Sequence, residues 1–346
     1  MRIALVTSPG SVEIRETPRP GIGEDDVLVR IAACGLCTME AKLYTGAMPV
    51  YPVAAGHEVS GRVEQVGARA AALEDAPAVG DLVTVDLLTR CGTCRHCRSG
   101  NSAICASPQG SLLPDGSISM GAGLAEYVRV PAAHAWPVGD TDPLHAAMGE
   151  PLACVVHSFR RGSFQPGDRV AVIGGGFMGR LHLLLAQHKQ ARSVTVIETD
   201  ETRRTAALVA GADHAVTPEE IAELPKADVV FVTIASREAI ATGFRAAADG
   251  ARLVLFGGSH DTPDAVLPGY EVHRRQLTVT GSYSQEPADW RAAAALLRGG
   301  ALAEGLAPLV TSRHELADTD KALTESSGSP VFRVFVEPRR PTPHPS

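Results

Sequence analysis

The stretch Arg169–Gln187, RVAVIGGGFMGRLHLLLAQ, decides the fold. It begins as a short apolar run of the kind that forms a buried strand and ends as an amphipathic helix. Between the two, Gly174, Gly176 and Gly179 stand in G-x-G-x-x-G spacing. In such a turn one glycine permits the tight reversal, one lets a pyrophosphate approach the backbone, and one lets helix and strand pack closely. The helix N-terminus then faces the phosphates. A bare hexapeptide is equally a glycine-rich turn with no ligand, so the flanking pattern matters. The next strand, SVTVIE, ends in Glu198, 19 residues after Gly179, where a carboxylate can bind ribose hydroxyls. Gly174, Gly175, Gly176, Phe177, Met178, Gly179, Glu198 and Arg203 are therefore the candidate dinucleotide-binding residues. A carboxylate at Glu198 repels a 2′-phosphate and favours NAD over NADP. Arg203 and Arg204 are near enough to keep NADP open.

Outward from this motif the texture repeats. DVVFVTI and RLVLFGG are further strands, separated by Ala-rich helical stretches, which is the pattern of a doubly wound parallel sheet. The first 140 residues differ: VEIRETP, DVLVRIAAC, GHEVSGRVEQVG, GDLVTVDLL and AEYVRVP alternate with period two between Gly and Pro, as antiparallel strands do. The expected fold class is thus α/β plus β. A β-rich domain over 1–150 precedes a Rossmann cofactor domain over 151–284, and 285–346 returns to the first domain. The Pro-rich tail at 338–346 is expected to be disordered.

At 346 residues, 45% hydrophobic and 21% charged, the composition is that of a globular chain of two domains. A net charge of −7 gives no reason to expect nucleic acid or an anionic membrane as partner. No apolar run reaches the ~18 residues of a membrane span, and the N-terminus turns polar too soon for a secretory signal, so a cytoplasmic location is expected. The seven cysteines are odd in number and clustered, which in a reducing compartment points to metal or catalysis.

Four of them, Cys91, Cys94, Cys97 and Cys105, fall within CGTCRHCRSGNSAIC. Thiolates at this spacing can enclose one tetrahedral Zn(II) and leave no open position, the mark of a structural site. An iron–sulfur cluster and disulfides are the competing readings. Two more sit in CGLCTMEAKLYTG, Cys34–Gly46, which opens like a thiol–disulfide active site.

These motifs together resemble the medium-chain dehydrogenase/reductase superfamily, within it the zinc-dependent alcohol and polyol (sorbitol-type) dehydrogenases. The resemblance runs co-linearly through CGLC, GHEVSGRVEQVG, the four-cysteine lobe, GEPLACVVHSFRRG, the glycine turn, LVAGADHAV and FRVFVEP. It implies a GroES-like catalytic domain built from both chain ends. It also implies a catalytic zinc on Cys37, His57 and Glu150, with Glu58 as ligand or support, beside the structural zinc. Cys37 then loses its redox reading and Cys34 becomes packing. Taken alone, His57 reads as a structural histidine and Glu150 as a surface turn, and Cys154 stands close enough to substitute in a shifted register.

The chain departs from that family where a relay hydroxyl is expected: Met39 stands two residues after Cys37 and Lys42 stands where a relay histidine is common. A thioether donates no proton. Glu58, Thr38 and Lys42 are the candidate replacements, Glu58 favoured. Glu40 is expected to pair with Arg333. The implied activity is NAD-linked interconversion of a secondary alcohol, of polyol, cyclitol or sugar type, and its ketone. The partners are a small alcohol or ketone and a second copy or more, as homodimer or homotetramer through RQLTVTGSYS. A redox-neutral, epimerase-like enzyme and a non-catalytic binding protein are the alternatives.

Overall fold

The computed structural model describes residues 1–88, 90–107, 117–258, 264–328 and 332–338. The tail expected to be disordered lies, from 339 on, outside the described residues. The chain divides into two compact units, one of Met1–Pro151 with Trp290–Ser346 and the other of Leu152–Asp289.

The first unit is a β structure. Among the described residues, a sheet runs in the order Val310–Glu315, Arg333–Glu337, Asp26–Leu36, Glu58–Val66, Leu82–Val85 and Ala135–Pro137, with Tyr127–Pro131 also paired to Asp26–Leu36. All its pairings are antiparallel except that of Val310–Glu315 with Arg333–Glu337. The strands expected from period-two alternation in this part of the chain all form. Val27, Val29 and Ile31 send one face of their strand into a core shared with Val59, Val63, Val83 and Val334. Full burial of such side chains is worth about 1.5–3 kcal/mol each.

Two local features set the site. The Asp26–Leu36 strand is followed at once by the helix Thr38–Thr45, which Cys37 caps. Its Sγ accepts from Met39 N at 3.1 Å while the Glu40 carboxylate accepts from Cys37 N at 3.0 Å. This is a capping box with a thiol in place of the hydroxyl. Gly46, at φ 86°, ends the helix in the left-handed conformation. The last strand, Arg333–Glu337, pairs with Leu36, Gly35 and Cys34, which places the far end of the chain beside that capped turn.

The second unit is a six-stranded parallel sheet in the order His214–Val216, Ser193–Ile197, Arg169–Ile173, Ala227–Val232, Ala247–Leu255, Thr278–Gly281. All five pairings are parallel. The order steps outward in both directions from Arg169–Ile173, so this strand lies at the switch point where open α/β sheets take ligands. Arg169–Ile173 leads through the glycine turn into the helix Phe177–His188, whose Leu181, Leu183 and Leu185 are fully buried. His182 on that helix is buried against Phe159, Phe231 and Phe256, and burial holds its pKa down to about 4. No helix among the described residues is long and apolar enough to cross a membrane.

Candidate metal centres and nucleotide turn

The residues expected at the catalytic centre fall, in the first unit, into two sets that share His57, with Cys37 in one and Glu150 in the other. Cys37, Glu40 and His57 each offer one ligand atom within 4.8 Å of the others, and so do His57, Glu58 and Glu150. His57 belongs to both sets. Its Nδ1 faces Glu40 Oε1 at 2.9 Å and its Nε2 faces Cys37 Sγ at 3.7 Å. With Zn–S ~2.3 Å and Zn–N ~2.0 Å, adjacent tetrahedral ligands lie about 3.6 Å apart, so this pair has the spacing of two zinc ligands. Glu150 enters from the first turn of the helix Gly149–Arg161, where the helix dipole favours a carboxylate.

Burial and mutual charge shift every titratable group of these sets that departs from its ordinary value. Burial raises the Cys37 thiol to about 11, with Glu40 adding to the rise and His57 opposing it. Burial would also raise Glu40, but the His57 charge and hydrogen bonds from His57 and Cys37 bring it down to about 2. His57 is held well above its ordinary value: burial opposes this, and the negative groups Glu40 and Cys37 outweigh it. Burial raises Glu58 to about 7 against the pull of Arg333 and His57. Its Oε2 is buried and has no hydrogen-bond partner. An orphaned carboxylate oxygen amid a thiol, an imidazole and another carboxylate fits a divalent cation of zinc's borderline softness.

Glu40 is where the structure corrects the sequence. The expected Glu40–Arg333 pair gives way to two others. Arg333 reaches Glu58, Nη2 to Oε1 at 3.1 Å, and donates to Leu36 O at 2.7 Å. Glu40, fully buried, accepts from Cys37 N, from Gly56 N at 3.2 Å and from the imidazole. Charge alone suggested the pairing, but strand register decides which acid each base meets. A carboxylate on Nδ1 fixes the tautomer that leaves Nε2 free to ligate. Glu40→Gln is therefore expected to lower both zinc retention at this centre and turnover, each about 10–100-fold, read by metal analysis and steady-state kinetics. Unchanged values in both would refute the orienting role.

Of the relay candidates, Glu58 lies in the cluster. Thr38 is exposed at the start of its helix, and Lys42, one turn further along, is half-buried. Cys34 is fully buried, and burial raises its thiol well above the ordinary value, opposite to what a redox pair needs. Cys154 lies in the other unit, its Sγ 3.3 Å from Gln285 Oε1.

In the lobe, Cys91, Cys94, Cys97 and Cys105 bring their sulfurs within 4.8 Å of one another. The Cys91 sulfur is 3.5 Å from Cys105 and 4.0 Å from Cys97, bracketing the ~3.8 Å between sulfurs on one tetrahedral zinc. Backbone N–H groups of Cys94, Cys97 and Cys91 donate to the sulfurs of Cys91, Cys94 and Cys105. The Cys94 amide leads the donors that bring Cys91 down to about 6, whereas burial and the neighbouring sulfurs push Cys97 up to about 12. None of the seven cysteines is joined in a disulfide.

At the nucleotide turn, Gly174 takes φ 104° and Gly176 caps the helix. A Cβ on Gly179 would collide with the Gly174 carbonyl oxygen. Glu198 is buried; its Oε2 accepts from Gly175 N at 2.7 Å and its Oε1 from Thr199 N and Asp200 N. Phe177 is buried, and Met178 is half-buried with its carbonyl accepting from His182 Nδ1. Arg203 is half-buried on the helix Glu201–Val209. Arg204 donates to the carbonyls of Glu198 and Thr199 and so braces the strand end, a contact nothing in the sequence signalled.

Comparison with known proteins agrees with this geometry. Residues 23–140 match the alcohol dehydrogenase GroES-like domain and residues 178–299 the zinc-binding dehydrogenase domain. A sorbitol dehydrogenase of Halalkalibacterium halodurans is 31% identical over 350 residues, spanning 95% of this chain and 96% of that one. The D-altritol 5-dehydrogenase of Agrobacterium fabrum is 32% identical over 339 residues, spanning 93% and 95%. Among solved structures, a zinc-binding dehydrogenase-type protein of Sinorhizobium meliloti 1021 bound to NADP superposes with TM-score 0.87 at 28% identity, over 97% of this chain and 99% of that one.

Proposed function

Because the chain belongs to the zinc-dependent medium-chain dehydrogenase family, we propose that it interconverts a secondary alcohol and its ketone with NAD, on a polyol or sugar-derived substrate. The observation that carries the reading is the pair of donor sets joined at His57, Cys37 with Glu40 on one side and Glu58 with Glu150 on the other, together with the unpartnered Glu58 oxygen. Zinc bound there supplies a Lewis acid that polarises the alcohol or ketone oxygen, and nicotinamide supplies the hydride chemistry. Cys37, His57 and Glu150 would hold the metal, with Glu40 keeping His57 in its ligating tautomer. The Gly174–Gly179 turn would receive the dinucleotide, with Glu198, whose oxygens accept from Gly175, Thr199 and Asp200 N, as the carboxylate at its ribose. Cys91, Cys94, Cys97 and Cys105 hold the structural zinc.

Glu58 takes the proton. Met39 has no exchangeable one, whereas Glu58 Oε2 is buried beside the ligands and its carboxyl, raised to about 7 by burial, exchanges a proton near neutral pH. Glu58→Gln is expected to lower kcat on the order of 10²-fold or more and flatten its pH profile, with Thr38→Val close to the parent. Equal and small effects in the two variants would remove Glu58 from the relay.

Two sugar-alcohol dehydrogenases among the relatives support the substrate class. An NADP-bound relative of the same fold keeps NADP as the second reading for the cofactor. A panel of alcohols and polyols with NAD and with NADP, followed at the absorbance of the reduced cofactor, tests both. Turnover of a polyol with NAD is the expected result. Tighter binding of NADP than NAD would overturn the cofactor assignment, and turnover without free NADH would favour the redox-neutral alternative.

A further inference from the structure

The outward face of the first unit's larger sheet carries a charge arrangement that the reaction does not use. Arg30 and Arg62 stand directly opposite each other where Asp26–Leu36 pairs with Glu58–Val66. On its other side Arg30 is opposite Tyr127. Like charges at directly opposed antiparallel positions, with Cβ atoms ~5 Å apart, are destabilising, yet both are present. A third guanidinium, that of Arg19, lies 4.4 Å from the Tyr127 ring centroid.

One acid answers these three. Glu64 pairs with Arg19 at 2.8 Å and lies 3.9 Å from Arg30 Nε, too far for a hydrogen bond. Glu64 Oε2 is itself buried without a hydrogen-bond partner. Arg62 donates through Nη1 to Gly80 O at 3.0 Å. Arg19 lies outside the lining of a pocket of about 410 Å³ and pairs with Glu64, so Arg30 and Arg62 are two guanidinium groups of that lining with no acid at hydrogen-bond distance among the described residues. Arg30, Arg62, Glu64 and Tyr127 line the pocket, with the exposed Val79 as its apolar side chain. Arg62 is four residues beyond Glu58 on the same strand, about 13 Å along it, so the pocket is separate from the metal cluster.

We propose that this pocket binds a dianionic oxyanion: the phosphate of a small phosphomonoester, or free inorganic phosphate. Two charges match the two guanidinium groups, and planar guanidinium forks bind phosphate oxygens in pairs. The exposed Val79 side chain accommodates a few carbons of an ester. A bound dianion also screens Arg30 from Arg62, so occupancy and sheet stability rise together.

The test is thermal unfolding and phosphorus NMR titration of the zinc-loaded protein with inorganic phosphate and with glycerol 3-phosphate. Chloride at matched ionic strength is the control, and excess NADH is present so that phosphate does not report on the glycine turn. The parent is expected to bind saturably and to gain thermal stability. Arg30→Gln and Arg62→Gln are each expected to weaken binding about tenfold or more. In chloride, Arg30→Gln is expected to be at least as stable as the parent, because it removes the opposed charge. Tighter binding of glycerol 3-phosphate supports the ester, and equal binding supports free phosphate. No saturable binding by the parent, or binding by both variants as tight as the parent's, overturns the proposal. Turnover does not enter either readout, so the result is independent of the dehydrogenase reading.

Discussion

His57→Ala is expected to leave a folded chain that carries one zinc where the parent carries two, with kcat/KM lower on the order of 10³-fold. The imidazole is the shared member of both donor sets, so its loss removes a ligand and also leaves Glu40 buried without its main counter-charge. Metal polarisation of the reacting oxygen is worth several kcal/mol, and about 1.4 kcal/mol is a factor of ten. The four sulfurs of the lobe keep their zinc because none of their contacts involves His57. Metal analysis and kinetics together decide it. Two zinc ions per chain with turnover within tenfold of the parent would show that His57 is a structural histidine.

Gly179→Ala should separate cofactor binding from metal binding. The added methyl group meets a backbone oxygen, that of Gly174, and no side chain can swing away to admit it. The helix Phe177–His188 must move off the turn, at a cost of about 1–3 kcal/mol. Any such movement spoils the alignment of turn and helix N-terminus that receives the pyrophosphate. Affinity for NAD, read by fluorescence of the reduced form, is expected to fall about 100-fold while two zinc ions per chain remain. Affinity within threefold of the parent would mean that the turn does not carry the cofactor.

The difference between these two sites explains what could be read in advance. The glycine turn spans six residues and the four-cysteine lobe fifteen, so spacing alone carries their geometry. The pairings around the catalytic cluster are not of that kind. Glu40 and His57 are 17 residues apart in sequence, and Arg333 meets the carbonyl of Leu36 across 297 residues. Nothing in a list of charges says which acid Arg333 will find, so Glu40 is the expected partner until the strands are paired and Glu58 takes that place. The opposed arginines escaped for the same reason, since Arg30 faces Arg62 only in the observed register.

The sequence by itself determined the two strand textures, the glycine turn and the four-cysteine spacing, each a property of residue type at short range, while the catalytic ligand set and the absent hydroxyl at Met39 are what the family resemblance implies. Only the tertiary structure decided that Glu40 holds His57, that Arg333 neutralises Glu58, and that Glu58 keeps one buried oxygen without a partner. Those depend on where the last strand inserts and on strand register, where a slip of one residue sends every side chain to the opposite face.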